Sequence, residues 1–216
     1  MSNAGRWSIL EFDDVATELL DWLGGMLSAP MSVGAVSACR SREGVVLFDA
    51  IHEELGYMPG IAAMRSVLET NESDQQVAAR LSGCYMRLFE GPAGPATVSL
   101  YESTYAGPAR RLHQQATTAM EAALRRCDMA VRASHGEPPD HLSLEVALLA
   151  TLLRKGEQDA VHELRKRLLG WVTQVAAACA VVDPGGFYRG VLIALHDTLM
   201  ALNEISSIGT CHERSI

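Results

Sequence analysis

The chain has 216 residues, 48% of them apolar and 20% charged, enough for one large core without disulfide or metal staples. With 18 basic residues against 26 acidic ones, the formal charge is −8, so the basic surface that nucleic acid or anionic lipid would require is missing. Much of the excess lies before Met64, where nine acids (Glu11, Asp13, Asp14, Glu18, Asp21, Glu43, Asp49, Glu53, Glu54) accompany only Arg6, Arg40 and Arg42. That pattern fits a solvated face, and an acidic surface of this kind also suits a basic partner such as an arginine-bearing peptide.

Ala and Leu dominate, and both favour helix. From Phe12, the residues Val15, Ala16, Leu19, Leu20 and Leu23 recur at three and four, which predicts an amphipathic helix ended or loosened at Gly24-Gly25. A loop is expected from Pro30 to Gly44. The only strand-like stretch is Val45 to Phe48, and it runs into a short helix over Leu47 to Leu55, stopped by Gly56 and Pro59-Gly60. Helices are predicted over Ile61 to Thr70 and, after the polar break Asn71 to Asp74, over Asp74 to Phe89. Gly91-Pro92-Ala93-Gly94-Pro95 cannot continue a helix, so Gly91 to Gly107 is read as an irregular loop.

Pro108 to Arg132 reads as a long alanine-rich helix, followed by a loop over Ala133 to Pro139 that would serve as a hinge. Asp140 to Leu153 is helical with Leu142, Val146, Leu149 and Leu153 as its core stripe. Another helix runs from Gln158 to Cys179. Asp183-Pro184 offers an N-cap carboxylate and then proline for a last helix carrying Phe187, Val191, Leu195, Leu199 and Leu202. The tail from Ser206 is polar and expected to fray. No internal repeat or long linker divides the chain. The expected fold is a single all-α domain, residues 1–216, of eight or more helices.

No apolar run reaches the roughly 18 residues needed to cross a bilayer. The N-terminus lacks a signal-peptide pattern, and its Ser-Asn-Ala resembles an expression scar. Five well-separated cysteines (Cys39, Cys84, Cys127, Cys179, Cys211) suit reduced, buried thiols and a cytoplasmic location. His162-Glu163-Leu164-Arg165-Lys166 begins like a zinc-protease helix, but Lys166 stands where the second histidine belongs. Walker A, Gly-x-Ser-x-Gly and Cys-x-x-Cys patterns are all missing from the sequence. No cofactor or metal is therefore expected, and no enzyme is required.

Two segments place polar groups where a plain bundle would not. One is Tyr85 to Pro92, continuing through Pro95 to Tyr101-Glu102-Ser103-Thr104-Tyr105; the other is Glu137-Pro138-Pro139-Asp140-His141-Leu142-Ser143-Leu144-Glu145. In the second, Asp140 falls at a helix N-cap or in its first turn, where free amides and the dipole favour a carboxylate. His141 and Glu145 are four apart and share a face. The plain reading is a capping aspartate beside a surface histidine. The functional reading is an acidic ledge facing a groove and able to hold a guanidinium bidentately.

Together these segments resemble the TorD/DmsD family of cytoplasmic redox-enzyme maturation chaperones. The family's Tyr-x-x-Leu-Phe-x-Gly stretch is matched by Tyr85 to Gly91, followed by Pro95 and Tyr101-Glu102-Ser103. Its Glu-Pro-x-Asp-His-Leu-x-x-Glu signature is matched by Glu137, Pro138, Asp140, His141, Leu142 and Glu145. Where relatives often carry Phe-Leu-x-x-His-Leu-x-x-Trp, this chain keeps Leu164, Leu168 and Trp171 but has Glu163 for the aromatic and Arg167 for the histidine. The first 70 or so residues match loosely.

The resemblance implies a binding protein for the twin-arginine leader, or the apo form, of a molybdenum-cofactor oxidoreductase subunit. Asp140, with Glu137 and Glu102, would receive the arginines. Leu142, Tyr85, Phe89, Tyr101 and Tyr105 would line an apolar groove, with Ser103 and Glu145 completing the site and His141 tuning it. For Tyr85, Phe89 and Trp171 a core-packing role competes. The oligomeric state is expected to be a monomer or a helix-swapped dimer. Rival readings are an assembly chaperone for a client that is not exported, a helical transcription regulator, which the charge of the first 64 residues disfavours, and a helical enzyme using Asp140 and His141.

Overall fold

The computed structural model describes residues 9–92, 97–105, 115–129, 138–183 and 186–212, with side chains described between residues 14 and 202. Among these the chain forms nine α-helices and one short 3-10 turn. They are α1 (Ile9–Ser28), α2 (Val33–Arg40), α3 (Arg42–Leu55), α4 (Pro59–Leu68), α5 (Asp74–Phe89), the turn Glu102–Thr104, α6 (Gln115–Arg126), α7 (Leu142–Lys155), α8 (Gln158–Val182) and α9 (Phe187–His212). The architecture is an all-α bundle. Its one extended pairing among the described residues is an isolated antiparallel bridge between Tyr101 and His141.

Helix α9 is the axis. Helices α1, α4 and α8 pack against it, while α7 lies against α1 and α8. Phe187, Tyr188, Val191, Leu192, Leu195 and Leu199 are almost wholly buried along α9, which accounts for the apolar spacing in its sequence. Helix α4 meets α9 backbone to backbone. A Cβ on Gly60 would lie 2.3 Å from the Ala194 amide nitrogen, and one on Gly190 would lie 2.9 Å from the Gly60 carbonyl oxygen. No side chain fits between the two helices at that crossing.

Several boundaries differ from expectation for identifiable reasons. Helix α1 continues through Gly24-Gly25 to Ser28. At Gly24 the missing side chain admits Val146 of α7, whose Cγ1 would stand 3.2 Å from an added Cβ, so this glycine serves packing rather than termination. The expected loop from Pro30 to Gly44 contains α2, started by the Ser32 hydroxyl accepting the Ala35 amide at 3.1 Å. Ser41 starts α3 in the same manner through Gly44, so Val45 to Phe48 are helical and not a strand.

Gly56, at φ 83°, closes α3, and Pro59 opens α4 instead of breaking it. Helix α5 has the expected bounds, fixed by a reciprocal capping box between Ser73 and Gln76. Helix α6 ends at Arg126, before the expected Arg132, in a turn with Asp128 at φ 54°. Asp183 closes α8 rather than opening α9, and α9 begins at Phe187 and stays helical past Ser206 to His212. The hinge proposed for 133–139 lies outside the described residues as far as 137.

Of the cysteines, Cys39 and Cys179 are buried, but Cys84 and Cys127 are half-exposed, and Cys211 lies outside the described side chains. Burial raises the Cys39 thiol above its ordinary value and, with Asp183 nearby, pushes Cys179 up to about 12. Both are protonated in the native protein at neutral pH.

The α4–α9 crossing is the least forgiving contact, because the atoms that an added methyl would meet are backbone. Gly60→Ala is expected to destabilise the fold by about 3 kcal/mol, the upper end for overpacking. Gly25→Ala, whose Cβ meets nothing within 4 Å, is expected to be neutral or slightly stabilising. Chemical denaturation of the two variants against the parent measures the difference.

Candidate functional site

Residues 97–105 carry no regular helix apart from the turn at Glu102–Thr104, yet Val98, Leu100 and Ser103 are buried. Their backbone groups therefore need partners from elsewhere. The Val98 amide donates to the Leu88 carbonyl at 2.7 Å, anchoring the segment to the end of α5. The Leu142 amide donates to Leu100 O at 2.7 Å, and the Glu102 amide donates to Asp140 O at 3.0 Å. The two motif segments are thereby joined edge to edge, with Tyr101 opposite His141 and their rings 5.1 Å apart in an edge-on contact.

Asp140 completes the join. Its side chain has no exposed surface; Oδ2 accepts the Ser103 amide at 3.0 Å and Oδ1 accepts the Thr117 hydroxyl of α6 at 2.8 Å. The N-cap of α7 is His141, one residue later than expected, with Nδ1 accepting the Ser143 amide and lying 2.8 Å from Ser143 Oγ. The expected open ledge of acids is enclosed here: Asp140 and Glu145 are fully buried, and Glu102 and His141 are nearly so.

What the acids enclose is a guanidinium from the chain itself. Arg167 and Trp171 sit four apart on α8 and so point to the same side. Arg167 Nε lies 2.8 Å from both Glu102 carboxylate oxygens, and Nη2 also donates to Glu102 Oε2 and to the Ala116 carbonyl, the latter at 3.1 Å. The same nitrogen is 3.5 Å from Glu145 Oε1. Trp171 Nε1 donates to Glu145 Oε2 at 3.4 Å, and the Tyr105 ring stacks on the indole at 5.8 Å. Tyr105 donates its hydroxyl to Ser99 O, tying this stack back to the buried segment.

The charges settle accordingly. Burial pushes the Glu145 carboxyl well above the usual carboxylate range; Arg167 opposes this, while Glu102 and Asp140 reinforce it. For Arg167, burial works against the charge, but the Glu102 hydrogen bonds and the surrounding carboxylates outweigh it and raise the pKa. One guanidinium is therefore paired directly with one carboxylate, beside a Glu145 carboxyl that burial pushes toward its protonated form. This pair forms part of the wall of an open cleft of about 460 Å³, lined by Glu102, Tyr105, Glu163, Lys166, Arg167, Gly170, Trp171 and Gln174.

Tyr101, Glu102, Ser103, Tyr105, Asp140, His141, Leu142 and Glu145 thus belong to one locus. Tyr85 and Phe89 occupy a different place, where they pack edge-on with Tyr188, and Tyr85 donates its hydroxyl to Leu27 O at 3.1 Å. Tyr85 is buried and serves the core; Phe89 is partly buried in the same cluster. Glu137 and Pro95 lie outside the described residues. Arg167 and Thr117 complete the locus and were not among the expected site residues. Arg167 could have been found from its four-residue spacing to Trp171, whereas nothing local singles out Thr117. Among the described residues no group of His, Cys, Asp and Glu side chains gathers in the manner of a metal site.

The protonation of Glu145 has a measurable sign. Unfolded, it ionises at its ordinary value, so above that pH folding must take up a proton and stability falls toward the raised native pKa. Glu145→Gln removes this penalty. Variant and parent are expected to melt together below the ordinary carboxylate range, with the variant gaining in Tm as pH rises above it; an equal Tm throughout would mean that the Glu145 pKa is not raised in the native protein. Arg167→Ala, which strips Glu102 of its partner, is expected to cost about 2–3 kcal/mol in denaturant titrations, below a fully buried pair because the guanidinium is partly exposed.

The family profile described as nitrate reductase delta subunit matches residues 53–178, more than half of the chain and the whole span of this locus. Among characterised proteins, the chain is 20% identical over 191 residues to the chaperone protein TorD of Photobacterium profundum, covering 83% of this chain and 88% of the relative. It is 23% identical over 192 residues to TorD of Vibrio atlanticus, covering 83% and 89%. It is 28% identical over 140 residues to TorD of Aeromonas salmonicida, covering 58% of each. With its two motif segments joined in one locus and the profile spanning both, the chain belongs to the nitrate reductase delta subunit family, as a chaperone of the TorD/DmsD type.

Proposed function

We propose that this protein is a cytoplasmic chaperone that binds the twin-arginine leader, or the apo form, of a molybdenum-cofactor oxidoreductase subunit and holds it until the cofactor is in place before export. The observation that carries this reading is the guanidinium seat formed by Glu102 at the wall of the cleft. A site that holds Arg167 in a planar, bidentate fashion has the chemistry to hold an arginine of a peptide. In this reading a leader arginine enters the cleft and takes Glu102 from Arg167, which swings toward solvent or toward Glu163.

The other residues act around that exchange. Asp140 is a positioning residue: through Ser103 and Thr117 it fixes the turn that presents Glu102. His141 and Tyr101 hold the join between the two motif segments, Tyr105 and Trp171 supply apolar surface to the cleft, and Leu142 and Glu145 are buried in the same locus. Glu137, outside the described residues, is a further acid that this reading assigns to the leader arginines. No helix among the described residues is long and apolar enough to cross a membrane. Binding and release accomplish the task, and no bond is made or broken.

Calorimetry with a synthetic twin-arginine leader tests this. Glu102→Gln keeps the shape of the seat and removes its charge, and is expected to weaken binding about tenfold or more, the scale of a lost charge-assisted hydrogen bond. Asp140→Ala and His141→Ala are expected to weaken it too, with helicity by circular dichroism unchanged. Equal affinity for all three variants and the parent overturns the assignment.

A further inference from the structure

A second surface lies on the other side of α1. Around that helix, Val15, Glu18, Leu19 and Trp22 project to the face opposite Gly24, whose backbone abuts α7. Together with Leu47, Ala50, Ile51 and Glu54 of α3 they line a groove of about 330 Å³. Leu19 and Ile51 are buried at its base, and the Trp22 and Phe48 rings join the two helices at 5.6 Å. On α3, Val46 and Leu47 stand 59% and 49% exposed beside the groove, an unusual cost in water for two aliphatic side chains a turn apart from Ala50.

The rim is acidic on both walls. Glu18 comes from α1 and Glu54 from α3, and neither takes part in an ion pair among the described residues. Neighbouring acids on the same helices are neutralised within the chain, Asp21 by Arg154 and Asp49 by Arg65. The two carboxylates flanking the apolar groove have no such internal cation among the described residues.

We infer that the α1–α3 groove is a docking site for an amphipathic helix of another protein, whose apolar stripe fills the groove and whose arginine or lysine side chains meet Glu18 and Glu54. Two helical walls with an apolar floor match the helix-in-groove mode of recognition. A second copy of this chain is a poor occupant. A two-fold pairing through this face would set Glu18 and Glu54 against their own counterparts on a chain that already carries a charge of −8. This site is separate from the Glu102 cleft and does not depend on the leader-binding reading.

The test uses the full chain and a synthetic helical peptide with a leucine stripe flanked by arginines, followed by fluorescence anisotropy. The parent is expected to bind it saturably, and to bind a version with glutamates for arginines at least about tenfold more weakly. Leu47→Asp, and Glu18→Lys with Glu54→Lys, are each expected to weaken binding about tenfold. A control with the same charge change away from the groove, Glu90→Lys with Glu157→Lys, is expected to stay within about twofold. Absence of saturable binding to the parent overturns the proposal, as does an equal loss in the control, which would mean general attraction to an acidic protein. Self-association that Leu47→Asp abolishes would make a second copy the occupant and also overturn it. The twin-arginine leader, titrated in parallel, is expected to respond to Glu102→Gln and not to Leu47→Asp, so failure at one surface is read separately from failure at the other.

Discussion

A nine-residue stretch without α-helix, with Val98, Leu100, Glu102 and Ser103 buried, imposes the main constraint on this bundle. A helix satisfies its own amides and carbonyls, but the segment 97–105 crosses the interior without that means. It borrows partners from the end of α5, from the start of α7 and from the Asp140 side chain. Asp140 is buried because it answers a backbone amide, and the Thr117 hydroxyl occupies its second oxygen. Position 140 therefore needs a short carboxylate for structural reasons before any ligand is considered. The same bonds set the Glu102 side chain toward α8 at a fixed height, so the join and the site are products of one requirement.

Electrostatics then follow from enclosure. Three carboxyl groups converge where water is largely excluded, and they cannot all remain charged beside a single guanidinium. The arrangement resolves this unequally. Glu102, on the cleft wall, takes the bidentate contact, while the fully buried Glu145 is pushed toward its protonated form and accepts from the Trp171 indole. The carboxylate in direct contact with a cation is the one on the cleft wall, where Arg167 already is.

The helices that carry a strong apolar period were legible in the sequence, and α5 is the clearest case because Ser73 and Gln76 fix its start by a local rule. Helix α2 was not legible: it buries only Val36 and Cys39, and its Ser, Gly and Ala content reads as loop until the Ser32 cap is seen. Gly24 and Asp183 misled in the opposite direction. Local signals marked them as a stop and a start, and tertiary packing used one for a helix crossing and the other to end α8. For the site, the two motif segments were visible as motifs, and their pairing explains why both sit in the chain. Their burial was not visible, since it depends on Thr117 and Arg167, which lie 23 and 27 positions beyond Asp140 in opposite directions along the chain. No periodicity connects residues at such separations.

The resident guanidinium of Arg167 has a consequence for selectivity. Any cation entering the cleft meets a carboxylate already matched by a planar fork with parallel donors. An ammonium, compact and strongly hydrated, offers no such match and leaves one carboxylate oxygen less well served. In the proposed exchange, potassium, sodium and free lysine would face an incumbent of better geometry, and a second fork would compete on equal terms. Selectivity in that exchange would be set by the shape of one side chain and not by the overall negative charge that draws every cation alike.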